Sequence, residues 1–177
     1  MRKSISALVF AVVVSTIAST YFVGVMAQKE INKVFIIPFE KGFSSKLVSY
    51  DKQFFSATAV SEFTLFLDNE EPVTLQFTSN IKHYPYKAKI ETELHLLDPS
   101  LEKQAQQYFA NSIWLTSTEE ITLFGDLSGK LNLLAGSYNK GQESVTTEGL
   151  IIEYSLNLQD DSGSALINWG GGNAIVQ

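Results

Sequence analysis

The sequence predicts a mainly β protein: an antiparallel meander or curved sheet with one short covering helix, preceded by an N-terminal transmembrane helix. Three observations lead to this prediction. Apolar and polar residues alternate over most of the chain after residue 45, as in strands with one buried face. One segment near residue 100 combines a helix start signal with helical spacing. The chain also begins with a long uncharged run.

The N-terminal run extends from Ser4 to Gln28, which is 25 residues without a charge, and follows Arg2 and Lys3. A helix rises about 1.5 Å per residue, so this run can cross a hydrocarbon core of about 30 Å. Residues 1–27 therefore fit an uncleaved signal anchor. They also fit a signal peptide cleaved after Ala27, which ends a loosely matching small-residue site. Both interpretations export the remainder of the chain.

The charge balance and the missing cysteine exclude several classes of protein. Beyond the run, the chain contains 11 Lys and 19 Asp plus Glu, which gives a net charge of −8, and it contains no Arg. Arg is the preferred residue for bidentate phosphate recognition, so we expect no nucleic-acid partner. The absence of cysteine excludes disulfides, thiolate metal sites, Cys nucleophiles and a lipid-modified N-terminal Cys. The exported domain must be held by its core.

Four segments are predicted along the chain. Residues 1–27 form the anchor or signal peptide, and residues 28–45 form a juxtamembrane helix and linker, with Gly42 to Ser45 as a turn. Residues 46–169 form the antiparallel β domain. The glycines Gly170-Gly171-Gly172 begin a flexible tail over residues 170–177.

The first strands are the clearest. A strand over residues 53–67 and a returning strand from Val73 to Thr78 predict a hairpin, with the polar turn 68–72 between them. The next strand spans residues 89–96 and has one apolar and one polar side. The apolar side consists of Ile90, Thr92, Leu94 and Leu96, and the polar side consists of Lys89, Glu91, Glu93 and His95.

A short helix is predicted over residues 99–111, because Asp98 is a favourable N-cap and Pro99 is favoured at the first helical position. Its apolar residues recur at helical spacing, so we expect it to pack on the sheet. The predicted strands that follow cover residues 113–116, 120–124, 127–134, 145–158 and 165–169, with a long turn over 136–141.

A short motif lies between Leu47 and Ala57, where Tyr50 and Phe55-Ser56-Ala57 flank Gln53. With these residues the chain resembles the start of the YdgA-like family, bacterial envelope proteins of unknown function. That family commonly has glycine at the position of Gln53.

A second match lies at His83-Tyr84-Pro85, where the family carries His-Gly-Pro and this chain lacks the glycine. The resemblance covers residues 5–135 and implies a short relative equivalent to the N-terminal part of longer members. It also implies a single pass through the bacterial inner membrane with the C-terminal domain in the periplasm, or a periplasmic protein if the chain is cleaved after Ala27. The family supplies no reaction, ligand or site residue.

Histidine chemistry offers weak candidates. His95 shares a strand face with Glu91 and Glu93 and could help to hold an ion, but we interpret the pattern as a solvated polar face. His83 is predicted to be a turn residue whose ring makes a local hydrogen bond. We therefore predict no metal site and no cofactor.

Catalytic signatures are also absent from the sequence. Gly125 to Gly129 has the order G-x-x-S-G in a hairpin turn, which differs from a nucleophile elbow. Gly170 to Gly172 is followed by no helix and cannot cradle a phosphate. The pairs Glu119-Glu120 and Asp160-Asp161 are adjacent residues, whose side chains point to opposite faces of a strand. We predict no catalytic residue.

The remaining signal is the large number of aromatic and aliphatic residues in so small a domain. One short helix covers only part of a long sheet, so the apolar face must fold onto a second layer or stay partly open as a groove. The sequence therefore favours a membrane-tethered module that is not an enzyme and that binds a lipid or an envelope protein on this face. The alternative is a carboxylate-dependent hydrolase acting on envelope polymers, which would need two carboxylates in one cleft.

Overall fold

The computed structural model describes residues 15–25, 27–29, 42–66, 71–140, 143–157, 159–160 and 162–175. These residues form two helices and two antiparallel sheets. The helices are α1 (residues 15–25 and 27–29) and α2 (Pro99–Phe109). The strands are β1 (Phe43–Lys52), β2 (Ser56–Leu65), β3 (Val73–His83), β4 (Lys87–Leu96), β5 (Leu115–Thr122), β6 (Asp126–Leu133), β7 (Gly136–Lys140), β8 (Glu143–Thr147), β9 (Leu150–Asn157), β10 (Ser162–Trp169) and β11 (Gly172–Ile175).

The larger sheet has eight strands in the order β1-β2-β3-β4-β5-β6-β9-β10, and the smaller sheet has three in the order β11-β8-β7. Neighbours in the large sheet are also neighbours in the chain, except that β6 pairs with β9 across the β7–β8 excursion. The prediction of a mainly β, antiparallel meander is confirmed.

The predicted hairpin and helix are present with different bounds: β2 and α2 are shorter than predicted, and β3 extends to His83. β2 pairs with β3 through matches such as Ser61 with Phe77. Asp98 caps α2, since its Oδ1 accepts from the backbone N–H groups of Ser100 and Leu101 at 2.8 and 2.9 Å. The helix ends at Phe109 instead of residue 111, because Ala110 adopts a left-handed conformation with a φ of 50°.

Two predicted turns are strands. The turn before the sheet is confined to Gly42, which has a φ of +89°, and β1 begins directly at Phe43. Phe43 pairs with Leu65 and stacks on Phe63 at 5.4 Å between ring centroids. The predicted long turn 136–141 contains β7. In both cases Gly and Ser suggested a turn, but pairing with a neighbouring strand decides the conformation.

The C-terminal part also departs from the prediction. The single strand predicted over 145–158 is two strands, β8 and β9, separated by Glu148 and Gly149 and lying in different sheets. Residues 172–175, predicted to belong to a flexible tail, form β11 and pair with β8. The Glu148 N–H donates to the carbonyl oxygen of Gly171 at 2.9 Å, which ties the link between β8 and β9 to the residue before β11.

The large sheet has one apolar face and one polar face. On β4, Leu94 is 4% exposed and Thr92 is buried, whereas Glu91 on the other face is exposed. We call the buried part of the apolar face, on β2 to β5, the covered region; it comprises Ala57, Ala59, Ile81, Ala88, Leu94 and Ile121. We call its exposed continuation on β9 and β10 the open region; it comprises Leu156, Ile167 and Trp169.

Helix α1 packs on the covered region, a contact that the sequence did not predict. Val23 and Ala27 join the same buried cluster as the alanines of β2 and β4. Gly24 lies against His83 so closely that a Cβ there would stand 2.8 Å from the imidazole ring. At the margin, the Lys52 ammonium lies 4.7 Å from the centroid of the Tyr21 ring.

Parts of the predicted segments lie outside the described residues: 1–14 and 26 of the predicted anchor, 30–41 of the juxtamembrane segment, 67 of the first strand, 68–70 of the first turn, 141 of the long turn, 158 of the last long strand and 176–177 of the tail. Within the described part of the chain, no helix is both long enough and apolar enough to span a membrane.

Candidate apolar binding site

A cavity of about 840 Å³ lies where the end of β4 meets α2 and the small sheet. The helix packs against both β4 and β7, so it bridges the two sheets. The cavity is lined by side chains from β3, β4, α2, β7 and β8, namely Val73, Leu96, Leu101, Gln104, Ala105, Gln107, Tyr108, Tyr138 and Val145. None of these carries a charge.

Glu102 fixes α2 over the end of β4. Its Oε2 accepts from the backbone N–H of Leu96 at 2.8 Å, and its Oε1 accepts from the Gln106 amide at 2.9 Å. The same Oε1 lies 3.3 Å from Nδ1 of His95. Burial works to raise the pKa of Glu102, but these hydrogen bonds outweigh it and hold the pKa below its usual value. The carboxylate therefore stays ionised and the helix stays docked.

Aromatic stacking fixes the other end of the helix. Phe109 stacks on Trp114 with ring centroids 5.1 Å apart and an interplanar angle of 4°, and Tyr108 meets Phe109 edge to face at 4.8 Å. Gly136 of β7 lies directly against these rings, and a Cβ at that position would overlap Tyr108. Glycine is therefore required there for the small sheet to close against α2.

The lining residues determine what this site can hold. Ligand pockets in proteins range over roughly 300–1,000 Å³ and combine an apolar lining with a few polar groups, and this cavity fits that description. Aliphatic side chains and two tyrosine rings offer dispersion contacts, while Gln104 and Gln107 offer neutral hydrogen-bonding groups. A charged ligand would find no counter-ion in the lining. The site suits a neutral, largely hydrocarbon ligand.

The sequence predicted part of this site. The helical spacing of Leu101, Ala105 and Tyr108 predicted one apolar face, and all three line the cavity. Tyr138 and Val145 were missed, because Tyr138 was assigned to a turn and Val145 to the wrong sheet. Polar and apolar residues alternate from Ser137 to Asn139, in a segment that begins with a glycine, and this alternation could have indicated a strand.

The structure does not bring His95 close to both Glu91 and Glu93, the acidic residues that share its strand face. Its Nε2 lies 3.9 Å from Glu93 Oε2, and its Nδ1 faces Glu102 of α2 in place of Glu91. Among the described residues, no group of three or more His, Cys, Asp and Glu side chains could hold a metal ion. His95 joins a strand to a helix.

His83 is the last residue of β3 and is buried, so its assignment to a turn is corrected. Its Nδ1 lies 3.4 Å from the carbonyl oxygen of Phe54, and its ring faces Gly24 of α1. Burial lowers the pKa of His83. The hydrogen bond with the Phe54 carbonyl partly opposes this effect, and the nearby charge of Lys52 makes a smaller contribution that lowers the pKa further. The imidazole is therefore a neutral packing element between sheet and helix.

The adjacent residues Glu119 and Glu120 lie on opposite faces of β5, as predicted. Glu120 forms an ion pair with Lys87 at 2.7 Å on the polar face. Glu119 lies on the apolar face, where Tyr154 donates to its Oε1 at 3.4 Å. Burial raises the pKa of Glu119, and burial together with this carboxylate raises the pKa of Tyr154 to about 12. The two glutamates therefore do not form a carboxylate pair on one face.

The remaining sequence candidates are structural. Gly125, with a φ of +83°, makes the turn between β5 and β6, and Gly129 lies in β6 against the ring of Tyr154. Asp160 accepts from the backbone N–H and hydroxyl of Ser162 at 3.1 and 2.6 Å, which lowers its pKa and closes the turn before β10. Asp161 lies outside the described residues.

Fold and cavity together define an antiparallel β domain with an apolar pocket under a single capping helix. The chain belongs to a family described as "Bacterial protein of unknown function (DUF945)", whose model matches residues 1–173. This membership is consistent with the resemblance to the YdgA-like family seen around Tyr50 and Phe55. No curated protein and no solved structure matches the chain.

Proposed function

We propose that this chain is a membrane-tethered binding module of the bacterial envelope that holds the hydrocarbon chain of a lipid in the cavity under α2. The observation that carries the proposal is the composition of that cavity, about 840 Å³ lined by apolar and neutral polar side chains. A lipid fits this lining better than a protein segment does, because a peptide would bring backbone polar groups into a site with few partners for them.

The location of the module is part of the proposal. The uncharged run from Ser4 to Gln28 supports a single-pass tether in the inner membrane, with the sheet in the periplasm, or a periplasmic protein if the chain is cleaved after Ala27. Residues 15–25 and 27–29 pack on the sheet as α1, so the single-pass arrangement requires this helix to leave the sheet when it spans the bilayer. The side of α1 turned away from the sheet is also apolar and exposed at Ile17, Tyr21 and Phe22. Such a surface supports placing the domain next to lipid.

The mode of action proposed is binding and not turnover. Among the described residues that line the cavity, none has a carboxylate, histidine or serine side chain. Glu102 and His95 beside it are engaged in holding α2 onto β4. These groups hold the wall of the pocket in place. The site therefore recognises a ligand by its shape and by apolar contact.

Binding of a fluorescent, uncharged acyl-chain ester to the detergent-extracted full chain tests this proposal. Leu101→Glu introduces a charge into the cavity lining, and we expect it to weaken probe binding by about tenfold or more, which corresponds to about 1.4 kcal/mol. Leu101 is 38% exposed, so the substitution should leave the fold intact. Ala105→Trp should weaken binding through volume alone.

Leu97→Glu is the matched control, since Leu97 is 43% exposed and does not line the cavity. We expect it to bind the probe like the unmodified chain. Mass spectrometry of the extracted protein under native conditions should in addition show a retained lipid that Ala105→Trp loses. Equal probe binding by folded Leu101→Glu and Leu97→Glu would reject the cavity as the site.

A further inference from the structure

Strand β10 forms one edge of the eight-stranded sheet, and every residue from Ser162 to Trp169 is exposed. It pairs with β9 on one side and with no described strand on the other. Three of its side chains are large, apolar and exposed: Leu166 at 65%, Ile167 at 65% and Trp169 at 60%. An edge strand of this kind presents a row of unpaired backbone N–H and C=O groups to any strand that fits it.

The opposite edge of the same sheet is protected. Strand β1 carries Lys46, Asp51 and Lys52, and its pairing shifts register between Leu47 and Ser49. Charges and bulges are the usual devices that prevent edge-to-edge association. Strand β10, with the sequence SGSALINW, has no charge, no proline and an unbroken register with β9. The two edges therefore differ in the feature that controls association.

We propose that β10 pairs antiparallel with β10 of a second copy of this chain, about a two-fold axis at Leu166. Residues directly opposite in an antiparallel pair lie on the same face. In this register the apolar face of one sheet therefore continues into the apolar face of the other, and the polar face continues into the polar face. Ala165 stands opposite the partner's Ile167, and Gly163 stands opposite the partner's Trp169.

Self-complementarity is the reason for choosing a second copy as the occupant. On the apolar face, each large residue meets a small one, and an aromatic ring over an edge glycine is a favourable cross-strand pair. On the polar face, Ser164 meets the partner's Asn168, and the two Leu166 side chains meet on the axis. One uncharged strand thus supplies both halves of a matched interface, and the open region of each copy continues into the other.

Introduced cysteines test the register, because the chain has no cysteine of its own. In the proposed pairing, the two residues at position 166 have Cβ atoms about 5 Å apart, within reach of a disulfide. Leu166→Cys in the detergent-extracted full chain should therefore give a cross-linked dimer on mild oxidation. Ser164→Cys alone should not, since its two copies would lie roughly 13 Å apart along the strands. The double variant Ser164→Cys with Asn168→Cys should cross-link again.

A charge on the axis tests the association itself. Leu166→Lys brings two ammonium groups together, so we expect it to raise the dimer dissociation constant at least tenfold, measured by light scattering or native mass spectrometry. Phe124→Lys is the control, because Phe124 is 73% exposed and lies away from β10. A monomeric unmodified chain, or equal cross-linking of Leu166→Cys and Ser164→Cys, would overturn the proposal. Co-purification of a different protein on β10 would overturn it too.

Discussion

The covered and open regions of the apolar face have the same alternation but different side chains. Under α1, the face presents the alanines Ala57, Ala59 and Ala88, and the helix presents Gly24 to it. At the far side, the face ends in Leu156, Ile167 and Trp169. Small residues on both surfaces let a helix backbone approach a sheet closely, whereas large residues keep a second layer away. The alanines and Gly24 therefore distinguish the part of the face that receives α1 from the part that does not, although Ile81 and Ile121 also lie in the covered region.

The largest contrast between the two regions should appear when the same charge is placed in each. Leu94→Glu puts a carboxylate on a residue that is 4% exposed, and we expect it to cost about 3 kcal/mol or more and to unfold the domain. Leu156→Glu, on a residue that is 40% exposed, should cost less than about 1 kcal/mol. Urea denaturation of both variants measures the difference, and similar midpoints would remove the distinction.

A smaller effect is expected where α1 touches the sheet. Gly→Ala within a helix normally stabilises by about 1 kcal/mol. Gly24→Ala should instead destabilise by about 1–3 kcal/mol, because the new methyl group would meet the His83 ring at 2.8 Å. Thermal melting gives the sign. The double variant Gly24→Ala with His83→Ala should recover part of the loss, and a stabilising single substitution would show that the helix does not dock there.

The smallest effect concerns pH and is confined to the covered region. The pKa of His83 is lowered in the folded state, so the unfolded chain binds a proton more readily than the folded one. The stability contributed by the neutral ring is therefore present above about pH 6.5 and is lost as the pH falls. One proton gives a slope of up to about 1.4 kcal/mol per pH unit. Denaturation midpoints measured across this range should no longer fall with decreasing pH in His83→Leu, and should still fall in His95→Gln.

The elements that the sequence predicted well are those whose local signals agree with their pairing. β4 has strict alternation from Ile90 to Leu96, and α2 has its cap at Asp98. Both could be located within two residues, because period and capping are properties of the segment itself. The first hairpin was recognised for the same reason.

The failures occurred where tertiary contacts decide. Gly136 reads as a turn residue, but its missing side chain serves the close approach of Tyr108. Gly149 lies between two strands that belong to different sheets, and no local pattern tells which partner each strand will choose. Two of the nine lining residues, Tyr138 and Val145, lie on the strands next to these positions. The apolar residues of α2 were therefore predictable, whereas their partners on the small sheet were not.

The excursion of β7 and β8 between β6 and β9 has a consequence for how the chain folds. Apart from the β4–β5 connection, which contains α2, strands β1 to β6 join through short connections, so each of these pairings closes a small loop and loses little chain entropy. The small sheet differs, since β8 receives β11 only after the β9–β10 hairpin has returned the chain to it. We therefore expect the meander to assemble hairpin by hairpin, and the amides of β8 and β11 to gain protection last in pulse-labelled hydrogen exchange. The edge of the small sheet that carries β11 would then form later than the local β7–β8 hairpin, which supplies Tyr138 and Val145 to the pocket.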